Sequence, residues 1–143
     1  MTESVEIKID LSSDHWDERY PGAKVYIDQE VIFDELIVDA TQIVWNGELH
    51  DGDHKIIIEV YDKKSGDTVT DADGNIVKDV LVNVDNISID DIDLDILMWS
   101  KSTYYPTDKD SPESVTNCTN LGWNGQWELT FSSPLYLWFL ENL

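Results

Sequence analysis

The chain has very few basic residues and a single cysteine. Nine Lys and Arg stand against 30 Asp and Glu, which gives a formal net charge of -21 at pH 7. A surface of this sign repels phosphate, so nucleic acids and anionic membranes are poor partners, whereas cations and neutral sugars are not repelled. The simplest interpretation of the acidity is solubility in a salty or divalent-rich medium. Having only Cys118, the chain has no intramolecular disulfide and no cysteine-based zinc cluster.

Long apolar stretches are also missing. No run approaches the roughly 20 residues that a helix needs to cross a bilayer, and residues 1–6 carry neither the basic nor the apolar part of a secretory signal. We therefore expect a soluble protein without a signal peptide, cytoplasmic as synthesised, with association with a virion as a further option.

Alternating apolar and polar residues predict an all-β fold. With 143 residues, 41% of them hydrophobic, and six tryptophans, the chain has the size and composition of one folded domain, residues 1–143. The alternation over residues 5–11, 23–27 and 127–131 predicts strands with one wet face. The run 56–61, apolar at every position except 59, predicts a central strand. Short β segments separated by turns about every ten residues favour a β-sandwich or jelly roll.

Several boundaries are predicted from local signals. Asn46-Gly47 predicts a hairpin or sharp corner, and the alternation over residues 92–96 predicts a strand after a bulge or corner at Asp90-Asp91. Residues 100–121 read as a long loop, either functional or mobile. Residues 135–143 predict a short C-terminal helix or a final strand that is apolar nearly all round and must bury itself in this chain or in a partner.

Two acidic segments offer candidate calcium ligands. Asp71 and Asp73 lie in a loop, residues 67–76, whose alternating carboxylates could wrap a hard cation, although the first Asp and last Glu of an EF-hand are missing. Asp93 belongs to a second acidic segment. The alternatives are a solvated hairpin turn for the first segment and, for the second, a charged edge that opposes aggregation.

Histidines and aromatic residues suggest two further sites. His50 and His54, joined by His15, could supply imidazoles for a transition metal, unless they bond the backbone instead. Tyr104, Tyr105 and Trp123 flank the long loop, and flat apolar rings beside carboxylates suit sugar recognition, although such rings more often belong to the core.

No catalytic motif is recognisable. Cys118 has no histidine near it in the sequence, and the chain contains neither a Gly-x-Ser-x-Gly elbow nor a glycine-rich phosphate loop. We therefore expect no enzyme. A carboxylate-based hydrolase stays open as an alternative, and it requires at least two acidic residues with raised pKa values in one cleft.

Two stretches carry a resemblance to a known group of proteins. Residues 45–62, which include Gly52-Asp53-His54, and residues 84–94, which include Ile89-Asp90-Asp91-Ile92, resemble the later strands of calcium-dependent xylan-binding modules. The resemblance covers about a third of the chain. It implies a β-sandwich in which calcium bridges to sugar hydroxyls.

Residues 121–138 carry another resemblance, to uncharacterised marine bacteriophage proteins. It implies a virion accessory or host-interaction protein. Taken together, the sequence predicts a non-catalytic carbohydrate-binding module, assisted by calcium held by Asp71, Asp73 and Asp93, with rings for stacking at Tyr104, Tyr105 and Trp123. The alternative is a virion structural or assembly protein that forms a homo-oligomer through residues 135–143.

Overall fold

The computed structural model describes residues 1–142 as two antiparallel sheets, a small hairpin and two short helices. In chain order the elements are β1 (Thr2–Asp14), β2 (Gly22–Ile27), β3 (Glu30–Leu36), β4 (Thr41–His50), β5 (Gly52–Tyr61), β6 (Val69–Thr70), β7 (Ile76–Lys78), β8 (Leu81–Ile89), β9 (Ile92–Asp93), α1 (Ile96–Ser100), β10 (Ser102–Pro106), β11 (Val115–Thr116), β12 (Asn120–Leu121), β13 (Gly125–Ser133) and α2 (Leu135–Asn142).

The sheets are a five-stranded and a six-stranded one. The first has the order β12-β8-β1-β4, with β9 paired to β8, and the second has the order β11-β10-β13-β5-β2-β3. Strands β6 and β7 form a separate hairpin. The arrangement confirms the predicted all-β sandwich, in which each sheet turns one face to the core.

The core follows the period-two pattern of the sequence. Strand β1 buries Val5, Ile7, Ile9 and Leu11 while the residues between them are half-buried. Strand β5 lies between β13 and β2, as expected for a central strand. Trp127 on β13 is fully buried, and its indole N–H donates to the Cys118 carbonyl at 2.9 Å.

The C-terminal segment forms helix α2, one of the two predicted options. Leu135, Trp138 and Phe139 are buried against the rest of the chain, with α2 packed on β13. Glu3 of β1 accepts hydrogen bonds from the Ser133 hydroxyl at 2.5 Å and the Leu135 N–H at 3.1 Å, so it satisfies a donor at the start of the helix. Within residues 1–142, neither helix has the length and apolar character needed to cross a membrane.

The predicted turn at Asn46-Gly47 is wrong. Both residues continue β4, where they pair with Glu6 and Val5 of β1. The ring of Trp45 lies over Gly47, because a Cβ at this glycine would come within 2.2 Å of the indole. Strand β4 instead ends at His50, and β5 begins at Gly52.

Two other predictions fail in part. After the corner at Asp90-Asp91, where φ is positive at both residues, only β9 is extended, and Ile96–Ser100 is helical. The segment 100–121 is not a plain loop, because it contains β10, which pairs with both β11 and β13. The pairing of β10 with β13 joins segments that β11 and β12 separate in the chain, so no local sequence pattern predicts it.

Candidate functional site

Three tyrosines lie on the outer face of the six-stranded sheet. They are Tyr26 of β2, Tyr61 of β5 and Tyr105 of β10, which we call the tyrosine face. Their inner neighbours on the same strands, among them Val25 and Val60, are buried in the core, so the tyrosines point away from it. Tyr105 is 44% exposed.

Tyr61 is fixed by a glycine and a carboxylate on neighbouring strands. Its ring lies over Gly22 of β2, where a Cβ would come within 2.3 Å of a ring carbon. Its hydroxyl donates to Asp34 of β3 at 2.6 Å. Burial, with the hydrogen bond to Asp34 and its charge, raises the pKa of Tyr61 to about 12. The side chain is therefore held across two strands before any ligand arrives.

A cleft of about 450 Å³ is lined by Tyr61 and Tyr105, and we call it the tyrosine cleft. Gln126 and Glu59 lie in it side by side, and the Gln126 amide donates to the Glu59 carboxylate at 2.8 Å. The other polar side chains of the lining are Asp62, Thr107 and Asn124. The cleft thus combines two aromatic rings with hydrogen-bond donors and acceptors.

Asn124 holds together the segments that frame this cleft. Its side chain accepts the Lys63 N–H at 2.9 Å, donates to the Lys63 carbonyl at 2.9 Å and donates to Asp108 at 3.0 Å. The next residue, Gly125, has a φ of +150°, and a Cβ there would come within 2.4 Å of the Tyr105 carbonyl oxygen. The close approach of β13 to β10 beside Tyr105 therefore requires glycine.

Tyr104 belongs to the core and offers no ring for stacking. It has no exposed surface, and its hydroxyl donates to the Trp123 carbonyl and accepts the Trp123 N–H at 2.9 Å. Burial raises its pKa well above the ordinary range of a tyrosine. The prediction that Tyr104 contacts a ligand is wrong, because β10 turns Tyr104 inward and Tyr105 outward.

Trp123 does not join Tyr105. It is half-buried, with its ring centroid 6.1 Å from that of Tyr104, and it lines a different cavity of about 860 Å³, which we call the end cavity. Of the three predicted stacking residues, Tyr104 therefore lies in the core, Tyr105 lines the tyrosine cleft and Trp123 lines the end cavity. Ligand contacts at Tyr105 and Trp123 stay predictions.

The calcium candidates do not converge on one site. One Asp71 carboxylate oxygen accepts the N–H groups of Asp73 and Asn75, each at 2.9 Å, and these backbone hydrogen bonds, that of Asn75 first, lower the pKa of Asp71. Asp93 lies on β9, in another sheet, and accepts from Asn86 at 3.0 Å. Among residues 1–142 no three His, Cys, Asp or Glu side chains are grouped to hold a metal ion.

The histidines make local contacts. His54 lies 2.8 Å from an Asp28 carboxylate oxygen and 2.6 Å from the His50 carbonyl. Burial lowers the pKa of His54, but the bonds to His50 and Asp28 outweigh it and raise the pKa above its usual value. His15 instead contacts the Ser13 hydroxyl and the ring of Tyr20. His54 therefore bonds to the backbone, which is the predicted alternative to a metal site.

The carboxyl groups whose pKa values are shifted, Asp71 and Asp79, both have lowered pKa values, whereas a general acid needs a raised pKa. Burial raises the pKa of Asp79, but hydrogen bonds from Lys63, Thr68 and the Val80 N–H outweigh it and lower the pKa. The pKa of Asp71 is also lowered. A hydrolase would need a carboxyl group that keeps its proton at neutral pH.

Sequence reasoning missed Tyr26 and Tyr61. Tyr61 ends the run that predicts a central strand, and the apolar character of that run does not distinguish a ring on the outer face from one in the core. The alternation of side chains along a strand could have identified Tyr61 as outward-facing. Ile56, Ile58 and Val60 share one face of β5, and Tyr61 lies on the other.

Comparison with solved structures finds carbohydrate-binding modules. The selenomethionine form of vCBM60, described in work on a circular permutation that links two families of calcium-dependent carbohydrate-binding modules, matches with a TM-score of 0.57. Identity is 11%, over 87% of this chain and 89% of that one. The structure of vCBM60 in complex with galactobiose matches with a TM-score of 0.51 and 12% identity, over 89% of this chain and 97% of that one.

No protein-family model matches the chain, and no curated protein matches it in sequence. At 11–12% identity the likeness establishes the fold alone. It confirms the predicted β-sandwich and the resemblance to calcium-dependent carbohydrate-binding modules at the level of architecture, whereas the resemblance to bacteriophage proteins stays a prediction. The chain therefore has the fold of the β-sandwich carbohydrate-binding modules represented by vCBM60.

Proposed function

We propose that this protein is a non-catalytic carbohydrate-binding module and that the tyrosine cleft holds the sugar. The observation that carries the proposal is the exposed ring of Tyr105, which shares an open cleft with the fixed ring of Tyr61. An aromatic ring covers the apolar face of a pyranose, and desolvating both surfaces stabilises the complex.

The polar lining supplies the other half of recognition. Gln126 and Asn124 carry amide donors and acceptors, while Glu59 and Asp62 accept from sugar hydroxyls. A neutral sugar brings many hydroxyl donors and no negative charge. It therefore suits a cleft in which both ionised side chains are carboxylates.

The choice of the first sugar comes from the fold. A vCBM60 structure holds galactobiose, and the sequence resembles xylan-binding modules. Galactobiose and short xylo-oligosaccharides are therefore the neutral ligands to titrate first by isothermal calorimetry. Replacing Tyr105 by Ala removes a stacking ring and should weaken binding by at least about tenfold.

The matched control is Tyr136→Ala, because Tyr136 is an exposed tyrosine on α2 that does not line the cleft. It should bind as the parent chain does. Unchanged affinity in Tyr105→Ala, or no binding of the parent chain to any neutral glycan of a broad array, would contradict the proposal.

Calcium assistance is a separate part of the proposal. The thermal midpoint should be measured with calcium, with magnesium and with a chelator at constant sodium chloride, because a ligand that binds only the folded state raises the midpoint. A rise specific to calcium that Asp71→Asn and Asp73→Asn diminish supports those ligands. Equal midpoints in all three conditions remove calcium from the proposal and leave the tyrosine cleft untouched.

A second candidate function is self-assembly, which the exposed side of α2 favours. Tyr136, Leu137 and Leu140 are exposed on this helix, while its other side packs on β13. Association of copies through α2 predicts a dimer or larger species in sedimentation velocity that dissociates in the double variant Leu137→Asp/Leu140→Asp. A parent chain that sediments as a monomer at high concentration and moderate salt would contradict it.

A further inference from the structure

The end cavity collects basic side chains in an otherwise acidic protein. Lys63, Lys64 and Lys109 all line it, which is three of the nine basic residues of the chain. The acidic side chains in its lining are two, Asp79 and Asp108. In a chain with a net charge of -21, a cavity lined by three lysines and two carboxylates stands out from the rest of the surface.

Both carboxylates of the cavity are engaged by protein groups. Asp79 accepts from Lys63 at 2.8 Å and from the Thr68 hydroxyl at 2.6 Å. Asp108 accepts from the Asn124 N–H at 2.9 Å and from its side-chain amide at 3.0 Å. Both carboxylates therefore hold the cavity walls in place through hydrogen bonds within the protein.

Two of the three lysines, Lys64 and Lys109, form no ion pair among the described residues. Lys63 is only 11% exposed, and it donates to Asp79 and to the Gly122 carbonyl. Lys64 and Lys109 are exposed, and neither forms an ion pair among the residues 1–142 that the structure describes. Their ammonium groups are available to an anionic group in the cavity.

The same cavity contains an aromatic surface. Trp123 lines it, and the side chains of Leu81 and Val115 add apolar area nearby. A bare inorganic anion uses none of this surface, and a neutral sugar forms no ion pair with either ammonium group. A ring that carries a carboxylate uses both.

From this combination we infer that the end cavity binds an anionic sugar, a hexuronate unit whose ring packs on Trp123 and whose carboxylate pairs with Lys64 and Lys109. The inference concerns a site distinct from the tyrosine cleft. It adds an acidic sugar to the neutral sugar proposed there.

The test titrates the full chain with digalacturonate and with galactobiose at one fixed ionic strength, by calorimetry and by tryptophan fluorescence. Digalacturonate should bind to the parent chain and to Tyr105→Ala equally, because the latter lacks only the other site. The double variant Lys64→Ala/Lys109→Ala should bind it about tenfold more weakly or worse, as expected for the loss of charge-assisted bonds.

Lys101→Ala is the matched control, since Lys101 is exposed, has no ion pair among residues 1–142 and does not line the cavity. It should leave digalacturonate binding unchanged. An equal loss in Lys101→Ala would overturn the inference in favour of general charge attraction. Competition by inorganic phosphate as strong as by digalacturonate, or digalacturonate binding that Tyr105→Ala abolishes, would also overturn it.

Discussion

The outer faces of the two sheets differ sharply. On the five-stranded sheet the outward residues of β1 include Lys8 and Asp10, which pair with Val44 and Gln42 of β4. Among the described residues, the ladder from β1 to β4 brings no Phe, Trp or Tyr side chain to this face. Its polar groups bond to one another, as when Gln42 donates to Asp10 at 3.0 Å. The six-stranded sheet carries three tyrosines on the equivalent face.

Strand propensity does not explain this difference, because tyrosine is favoured in strands of either sheet. Exposing aromatic rings to water on only one of the two sheet faces does not make the fold more stable. A one-sided set of exposed or half-exposed rings, one of them fixed by Gly22 and Asp34, is what ligand recognition requires. This asymmetry supports the proposed sugar-binding role of the six-stranded face, and matched substitutions on the two faces test that proposal.

The largest effect is expected from Asn124→Ala. It removes three side-chain hydrogen bonds to Lys63 and Asp108 in a half-buried position, which should lower the free energy of unfolding by about 2–4 kcal/mol and loosen the tyrosine cleft. Asn86→Ala on the five-stranded sheet is the control, because it removes one exposed bond to Asp93 and should cost less than about 1 kcal/mol. Urea unfolding measures both, and equal losses would show that Asn124 has no special role.

The next effect concerns two glycines that lie under aromatic rings. Gly22→Ala displaces the ring of Tyr61, and Gly47→Ala displaces that of Trp45, each at a cost of about 1–3 kcal/mol. Only Gly22→Ala should also weaken sugar binding in calorimetry, because only Tyr61 lines the cleft. If Gly47→Ala weakens binding as much, the site is not confined to the six-stranded face.

A smaller effect is expected from Tyr61→Phe, which removes the hydrogen bond to Asp34 and should cost about 1 kcal/mol near neutral pH. Folding raises the pKa of Tyr61 from 10.0 to about 12, so its contribution to stability is complete below pH 10 and is lost as the pH rises towards 12. Alkaline unfolding curves should therefore fall less steeply in Tyr61→Phe over that window. They should still fall, because burial also raises the pKa of Tyr104. Identical curves for the two chains would contradict the role given to Tyr61.

The smallest effect is expected from Val44→Tyr, which places a tyrosine on the outer face of the five-stranded sheet. Val44 is half exposed, so the change in stability should stay within about 0.5 kcal/mol. Sugar affinity should not change, because Val44 does not line the tyrosine cleft. A gain in affinity would mean that an exposed ring alone is sufficient.

The parts of the fold that the sequence predicts are those governed by local periodicity. The alternation in β1 and β13 and the apolar run in β5 each identify a strand, because burial of one sheet face repeats every two residues. Asn46-Gly47 misleads for a different reason. Its turn preference is weaker than ten consecutive pairings between β1 and β4 together with the cover given by Trp45.

The candidate site is less accessible to sequence reasoning, because it depends on pairings between distant segments. Tyr104 and Tyr105 are chemically alike neighbours, and only the pairing of β10 with β13 decides that one is core and the other exposed. The end cavity likewise unites residues 63–64, 108–109 and 118–123. Nothing in any one of these segments predicts the others.

The carboxylate of Glu3 has a consequence for how the chain is connected. By bonding to Ser133 and Leu135 it ties the first strand to the start of the last helix, across 130 and 132 positions of the chain. A single substitution at Glu3 would therefore loosen both elements together, although one belongs to a sheet and the other is a helix packed on the opposite sheet.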